Sequence, residues 1–191
     1  MRNCLPFIGL SFLALAACKP PSTDADMLRD MPEAAPSFAS DPLPSPETQG
    51  ALWAPSPQNA ERLLYGIPGD PALVALECLE PQGTAASVQI TRLSPADEYA
   101  GALLALVGNG HIGRLAVDAE EVGGRIVWRG ELLAADTAWE PLAGPRQVTL
   151  TVPGAGMVTL NPSEVPAAFL ARCRGVAEQA ETPASPASPL P

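Results

Sequence analysis

Histidine and lysine are almost missing from this chain of 191 residues, which holds one of each, His111 and Lys19. A lone imidazole removes the usual base for a serine or cysteine nucleophile, and no serine stands in a Gly-x-Ser-x-Gly elbow. Positive charge is also short, 11 basic against 21 acidic residues, so the chain carries a formal charge of -10. Such a surface repels nucleic acid and anionic lipid headgroups, and neither is expected as a partner. Long apolar runs are absent too: the longest near the start, Phe7 to Leu15, falls well short of the roughly 20 residues a membrane-spanning helix needs. With no transmembrane segment and no nucleophile, the composition leaves binding and structural roles in front of catalysis.

That short apolar run has its own meaning. It follows one basic residue, Arg2, and ends in Leu15-Ala16-Ala17-Cys18, a charged n-region, apolar h-region and small-residue cleavage point of an exported protein. Leu15 to Cys18 resembles the lipobox of bacterial lipoproteins. The resemblance covers residues 1–18 and implies removal of residues 1–17, acylation of Cys18 and a chain held to the lipid bilayer by its acyl chains. Lys19 then occupies the position where the same resemblance implies that aspartate would retain the protein in the inner membrane, which points to the outer membrane, periplasmic face. Cleavage would remove Arg2 and no acidic residue, shifting the charge from -10 to -11.

Proline marks both ends. Pro20, Pro21, Pro32, Pro36, Pro42, Pro44 and Pro46 lie among small and acidic residues over residues 18–50, and Pro183, Pro186, Pro189 and Pro191 recur through residues 176–191. Neither segment buries enough apolar surface to offset its ordering entropy, so both are expected to be disordered: a tether after Cys18 and a tail at the other end. An envelope protein or cell-wall polymer is the partner that such tails would meet.

Between these tails, residues 51–175 change character. Val74, Leu76 and Cys78 share one parity, as do Val88 and Ile90, Leu115 and Val117, Ile126, Trp128 and Leu132, and Val148, Leu150 and Val152. Period-two alternation is the mark of strands with one buried face. Asn109-Gly110, Gly123-Gly124 and Pro153-Gly154-Ala155-Gly156 separate the runs with residues that accept hairpin backbone angles. The expected fold is mainly β, a small antiparallel sandwich or barrel, closed by a short C-terminal helix from Glu164 to Arg174 whose face carries Val165, Phe169 and Cys173, with Pro166 in its first turn.

Of four cysteines, Cys4 lies in the signal segment and Cys18 is assigned to lipid, leaving Cys78 and Cys173 to pair in an oxidising compartment. No histidine or further cysteine lies near either in sequence, so no metal is expected, and no cofactor. Gly108-Asn109-Gly110-His111-Ile112-Gly113 matches the dinucleotide fingerprint in letters, but strand alternation follows where a helix should open, so it reads as a hairpin with His111 solvated beside the turn. The acidic pairs Asp97-Glu98 and Glu120-Glu121 read as solvated. Trp128 is expected in the core, whereas Trp53 and Trp139, beside Pro55 and Pro141 in less regular stretches, are the candidates for ligand binding. The function expected is a binding or structural role in the envelope. An inhibitor or protective factor, and a hydrolase whose acids meet only in three dimensions, are the alternatives.

Overall fold

The computed structural model describes residues 40–79 and 85–180, with side chains as far as Gly175. Cys18, the lipobox, the tether before Ser40 and the tail after Ala180 lie outside the described residues.

Among the described residues, nine strands form one antiparallel sheet: β1 (Leu52–Pro55), β2 (Arg62–Gly66), β3 (Val74–Leu79), β4 (Ser87–Pro95), β5 (Gly101–Gly108), β6 (His111–Val122), β7 (Arg125–Leu133), β8 (Val148–Thr151) and β9 (Met157–Leu160). Their spatial order is β1-β2-β3-β4-β7-β6-β5-β8-β9, and the sheet curls into a nearly closed barrel. Because each neighbour reverses direction and the number is odd, the two outer strands run the same way and cannot zip together as an antiparallel pair. Side chains bridge the seam instead. The Tyr65 hydroxyl donates to Thr159 O (2.8 Å) and accepts from Asn161 N–H (2.9 Å), while Asn161 Nδ2 donates to Thr48 O and Ala51 O.

The residues just before β1 complete the seam. Leu43 N–H donates to Gly154 O (2.8 Å) and Met157 N–H to Ser45 Oγ (3.0 Å), so residues 43–48 follow the free edge of β9 in parallel. An uncovered edge strand is a template for unwanted pairing, and this strap covers it. The folded unit therefore starts about ten residues before Ala51, inside the stretch that composition assigned to the tether. Prolines caused the difference: Pro42, Pro44 and Pro46 cannot join a ladder, but they can lie along an edge.

Alternation holds where a strand has one wet face. Val148 and Leu150 are buried against partly exposed Thr149 and exposed Thr151, and Leu115 and Val117 against Arg114 and Asp118. It fails in β4, where Thr91 is buried beside Ile90, and in β7, where Val127 is buried and Ile126 only half-buried; at Val127 a register shift between Arg92 and Pro95 interrupts the β4–β7 pairing. Asn109 and Gly110, at φ 51° and 85°, make a two-residue turn between Gly108 and His111, so the dinucleotide-like motif is a hairpin. Its third glycine has a packing role: a Cβ on Gly113 would stand 1.9 Å from Ala138 O, in the 3-10 turn Thr137–Leu142 that lies over β6. Gly113→Ala should cost roughly 2–3 kcal/mol by forcing that turn outward, read as a lower urea midpoint at unchanged slope.

The closing helix, α1 (Val165–Ala180), continues five residues past Gly175 into the stretch expected to be disordered. Its buried face is Pro166, Phe169, Leu170 and Cys173; Val165, expected on that face, is 41% exposed. Spacings of three and four define the stripe, and Val165 starts the helix on the wrong side of it. Cys173 is bonded to Cys78 at the end of β3, Cα atoms 5.8 Å apart, which staples α1 over one end of the barrel. Among the described residues, no helix is long and apolar enough to cross a membrane.

Candidate functional site

The site begins in the inward parity of β4, which reads Val88, Ile90 and Arg92. All three are buried, at 0, 1 and 3% exposure, yet the face turns from apolar to charged at its end, and Ser94, 5% exposed, lies beyond the register shift. Directly opposed residues of an antiparallel pair share a face, so the register stacks three rows across β3, β4 and β7. These are Cys78, Val88 and Leu132 near α1; Leu76, Ile90 and Gly130 in the middle; and Val74, Arg92 and Trp128 at the far end. A guanidinium therefore lies beside an indole at the end of the barrel that the helix does not cover.

Arg92 spans the interior there: Nη1 donates to Leu73 O and Nη2 to Ala155 O, both at 3.0 Å. No carboxylate pairs with it among the described residues. Burial pulls its pKa down to about 10, which still leaves it charged at neutral pH. Three buried side-chain atoms on this patch lack any hydrogen-bond partner: Arg92 Nε, Ser94 Oγ and Trp128 Nε1. Buried polar groups are nearly always satisfied, and each orphan carries a penalty on the order of 1–3 kcal/mol.

A cleft of about 450 Å³ opens beside this cluster, with Trp128 in its wall. Leu43, Pro95, Ala96, Ala100 and Ala102 give it an apolar lining, Pro153 and Gly154 come from the β8–β9 loop, and Ser40, Asp41 and Asp97 form its acidic side. The connection from β4 to β5 carries Tyr99, which is 92% exposed and holds φ at 63°. For a bulky non-glycine residue that left-handed conformation is strained, and such strain recurs at ligand-contacting sites. Asp97 accepts from Ser40 Oγ (2.6 Å) and Ser40 N–H (2.9 Å), and these bonds hold its carboxyl below the ordinary range. A depressed pKa means that the contact contributes above the unfolded carboxyl value of about 3.9 and fades as pH falls through the folded value. Proteolytic cleavage within residues 40–45 should accordingly accelerate on acidification in wild type, while Asp97→Asn should cleave quickly at every pH.

The tryptophans exchange their expected roles. Trp53 is 6% exposed, its ring 5.0 Å from that of Tyr65, and Trp139 is fully buried with Nε1 donating to Leu133 O at 3.0 Å. Both are core residues: strand β1, four residues ending in Pro55, and the 3-10 turn around Pro141 gave no alternation by which to see them as buried. Trp128 is buried as expected, but it is also the aromatic at the cleft. The signal that the sequence did offer was polar residues on an inward strand parity followed by Pro95, since proline inside a strand marks a bulge or an edge.

The remaining candidates stay dispersed. His111 Nδ1 lies 2.8 Å from Glu140 Oε2, each side chain about half exposed, and Glu120 Oε2 lies 3.2 Å from Arg129 Nη1. Among the described residues, no group of three histidine, cysteine or acidic side chains is placed to hold a metal ion.

Fold and site together define, over the described residues, a strap-sealed, nine-stranded, nearly closed barrel with a disulfide-stapled helix at one end and a largely apolar cleft walled by Trp128 at the other. Compared with known proteins, the chain matches no family model, no curated protein and no solved structure.

Proposed function

We propose that this protein is a lipid-anchored envelope protein whose barrel binds a ligand in the cleft beside Arg92 and Trp128. The observation that carries the binding reading is an apolar cleft of about 450 Å³ whose wall holds Trp128, an indole with an unpartnered N–H, and whose rim loop, through Asp97 and Ala100, carries the strained, exposed Tyr99. Pockets of this size, apolar with a few convergent polar groups, are the usual form of small-ligand sites. The pKa of Asp97 supports binding over hydrolysis, because a general acid needs its carboxyl raised toward neutrality and this one is lowered.

The anchoring half of the reading rests on Leu15 to Cys18. Two or more acyl chains hold a protein almost permanently, each buried methylene contributing about 0.8 kcal/mol. Ser40, where the described chain begins, lines the cleft. Even fully extended, at about 3.6 Å per residue, the 22 residues from Cys18 to Ser40 span no more than roughly 80 Å. The binding end thus works within reach of its own membrane, proposed as the outer membrane on the periplasmic face. Metabolic labelling with an alkyne fatty acid tests this: wild type should take label on Cys18 and fractionate with the outer membrane, and Cys18→Ser should lose both. Unlabelled wild type would remove the lipoprotein reading.

One observation favours a second reading, the inhibitor: the rim loop presents a strained aromatic beside an anchored N-terminal segment, a rigid shape that a protease groove accepts. The partner would then be an envelope protein in place of a small molecule or cell-wall polymer.

A further inference from the structure

We propose that a second site lies between α1 and the β1–β2 hairpin, where Arg62 and Arg172 receive the terminal carboxylate of a peptide whose last side chain is small and apolar. It is independent of the cleft and adds a binding surface on the helix side of the barrel.

The pocket follows from how α1 meets the hairpin. Val165, Ala168, Phe169 and Arg172 fall at helical spacing on one face of the first turns of α1. Pro55, Arg62 and Leu63 face them from the ends of β1 and β2, and the space left between is about 190 Å³. Val165, 41% exposed and outside the buried stripe of the helix, is a wall of this pocket.

Both arginines line the pocket and no carboxylate does, in a chain with 21 acidic residues against 11 basic ones. The carboxylate beside Arg62, Glu77, holds Oε2 3.8 Å from Nη1, beyond hydrogen-bond reach, and its other oxygen accepts from Asn59 Nδ2. The Arg62 side chain is 25% exposed and only its Nε is sealed from solvent, so its Nη groups are open to a ligand. Arg172 forms no ion pair among the described residues. Its guanidinium lies 5.4 Å from the centroid of the Phe169 ring, an attraction that keeps it at the pocket.

Guanidinium groups only donate, so the matching end of a ligand is an acceptor, and an anionic one gains charge-assisted bonds. The whole-chain charge of -10 penalises each further negative charge, which favours a single carboxylate over a phosphate. At about 190 Å³ the pocket is smaller than the roughly 300–1,000 Å³ of sites that enclose a drug-sized ligand, so it takes an end group and leaves the rest outside. Leu63, Val165 and Phe169 offer that end group apolar contact. The last residue of a peptide fits this description: carboxylate and side chain branch from one carbon, and the remaining chain leaves through the amide.

Calorimetric titration of the full mature chain tests it, with N-acetyl-alanyl-valine, its amide and inorganic phosphate as probes. The acid should bind saturably and the amide at least about tenfold more weakly, because charge-assisted bonds are lost. Arg172→Gln, at an exposed position, should erase the difference between acid and amide. Glu77→Gln keeps an acceptor for Asn59 but removes the competing charge, and should tighten the acid several-fold. Ala168→Leu, on the exposed side of α1, should fill the pocket and abolish binding while circular dichroism stays unchanged. Equal affinity for acid and amide, tighter binding of phosphate than of the acid, no saturable heat with the acid up to about 1 mM, or unaltered affinity in folded Ala168→Leu would overturn the proposal. Trp128→Phe, at the cleft, should leave binding of the acid unchanged, which separates the two sites.

Discussion

Replacing both Cys78 and Cys173 by alanine is expected to lower the melting temperature by roughly 10–20 °C. The bond joins positions 95 residues apart, and cross-linking so long a loop removes entropy from the unfolded chain worth about 4–5 kcal/mol. In a domain of this size each kcal/mol moves the midpoint by a few degrees. The folded-state contacts point the same way, since the bond fixes Phe169 and Leu170 of α1 over the interior that β3 and β4 share. Thermal unfolding followed by circular dichroism checks it: a reducing agent should bring wild type to the midpoint of the double variant and leave the variant unmoved. A wild-type midpoint indifferent to reduction would mean that α1 is held by packing alone.

Trp139→Ala should be nearly as damaging, at about 3–5 kcal/mol, because it empties a fully buried indole site between the 3-10 turn and the sheet. Trp139→Phe should recover most of that loss but leave Leu133 O without its indole donor, a residual cost of about 1–2 kcal/mol. Chemical denaturation of both variants measures this directly. A surface ligand-binding tryptophan would give neither loss.

These two cases mark what the residues reveal before folding and what they conceal. The disulfide followed from cysteine count and compartment, and strands such as Val148 to Thr151 from alternation, because each depends on local pattern alone. The roles of Trp53 and Trp139 depend on what packs over them, and β1 and the 3-10 turn are too short to advertise a buried face. The strap was hidden for a related reason: Pro42, Pro44 and Pro46 carry the composition of a tether, and only the odd-numbered barrel creates an edge for them to seal. The buried polar end of β4 was legible in part, since Arg92 continues the inward parity of Val88 and Ile90. Its pairing of Arg92 with Trp128 was not, for it arises from a long-range register between β4 and β7 that no local spacing encodes.

Binding through the end of the barrel opposite α1 is the central proposal for this chain. A photoreactive phenylalanine analogue at Tyr99, introduced into the otherwise native protein in intact cells, tests it most directly, with the same group at exposed Ile112 on the barrel wall as control. After illumination and purification, intact-mass analysis should find a discrete adduct at position 99 and none at 112, and Trp128→Phe should diminish the adduct. Equal labelling at the two positions, or none at 99, would contradict the assignment of the cleft as the working surface.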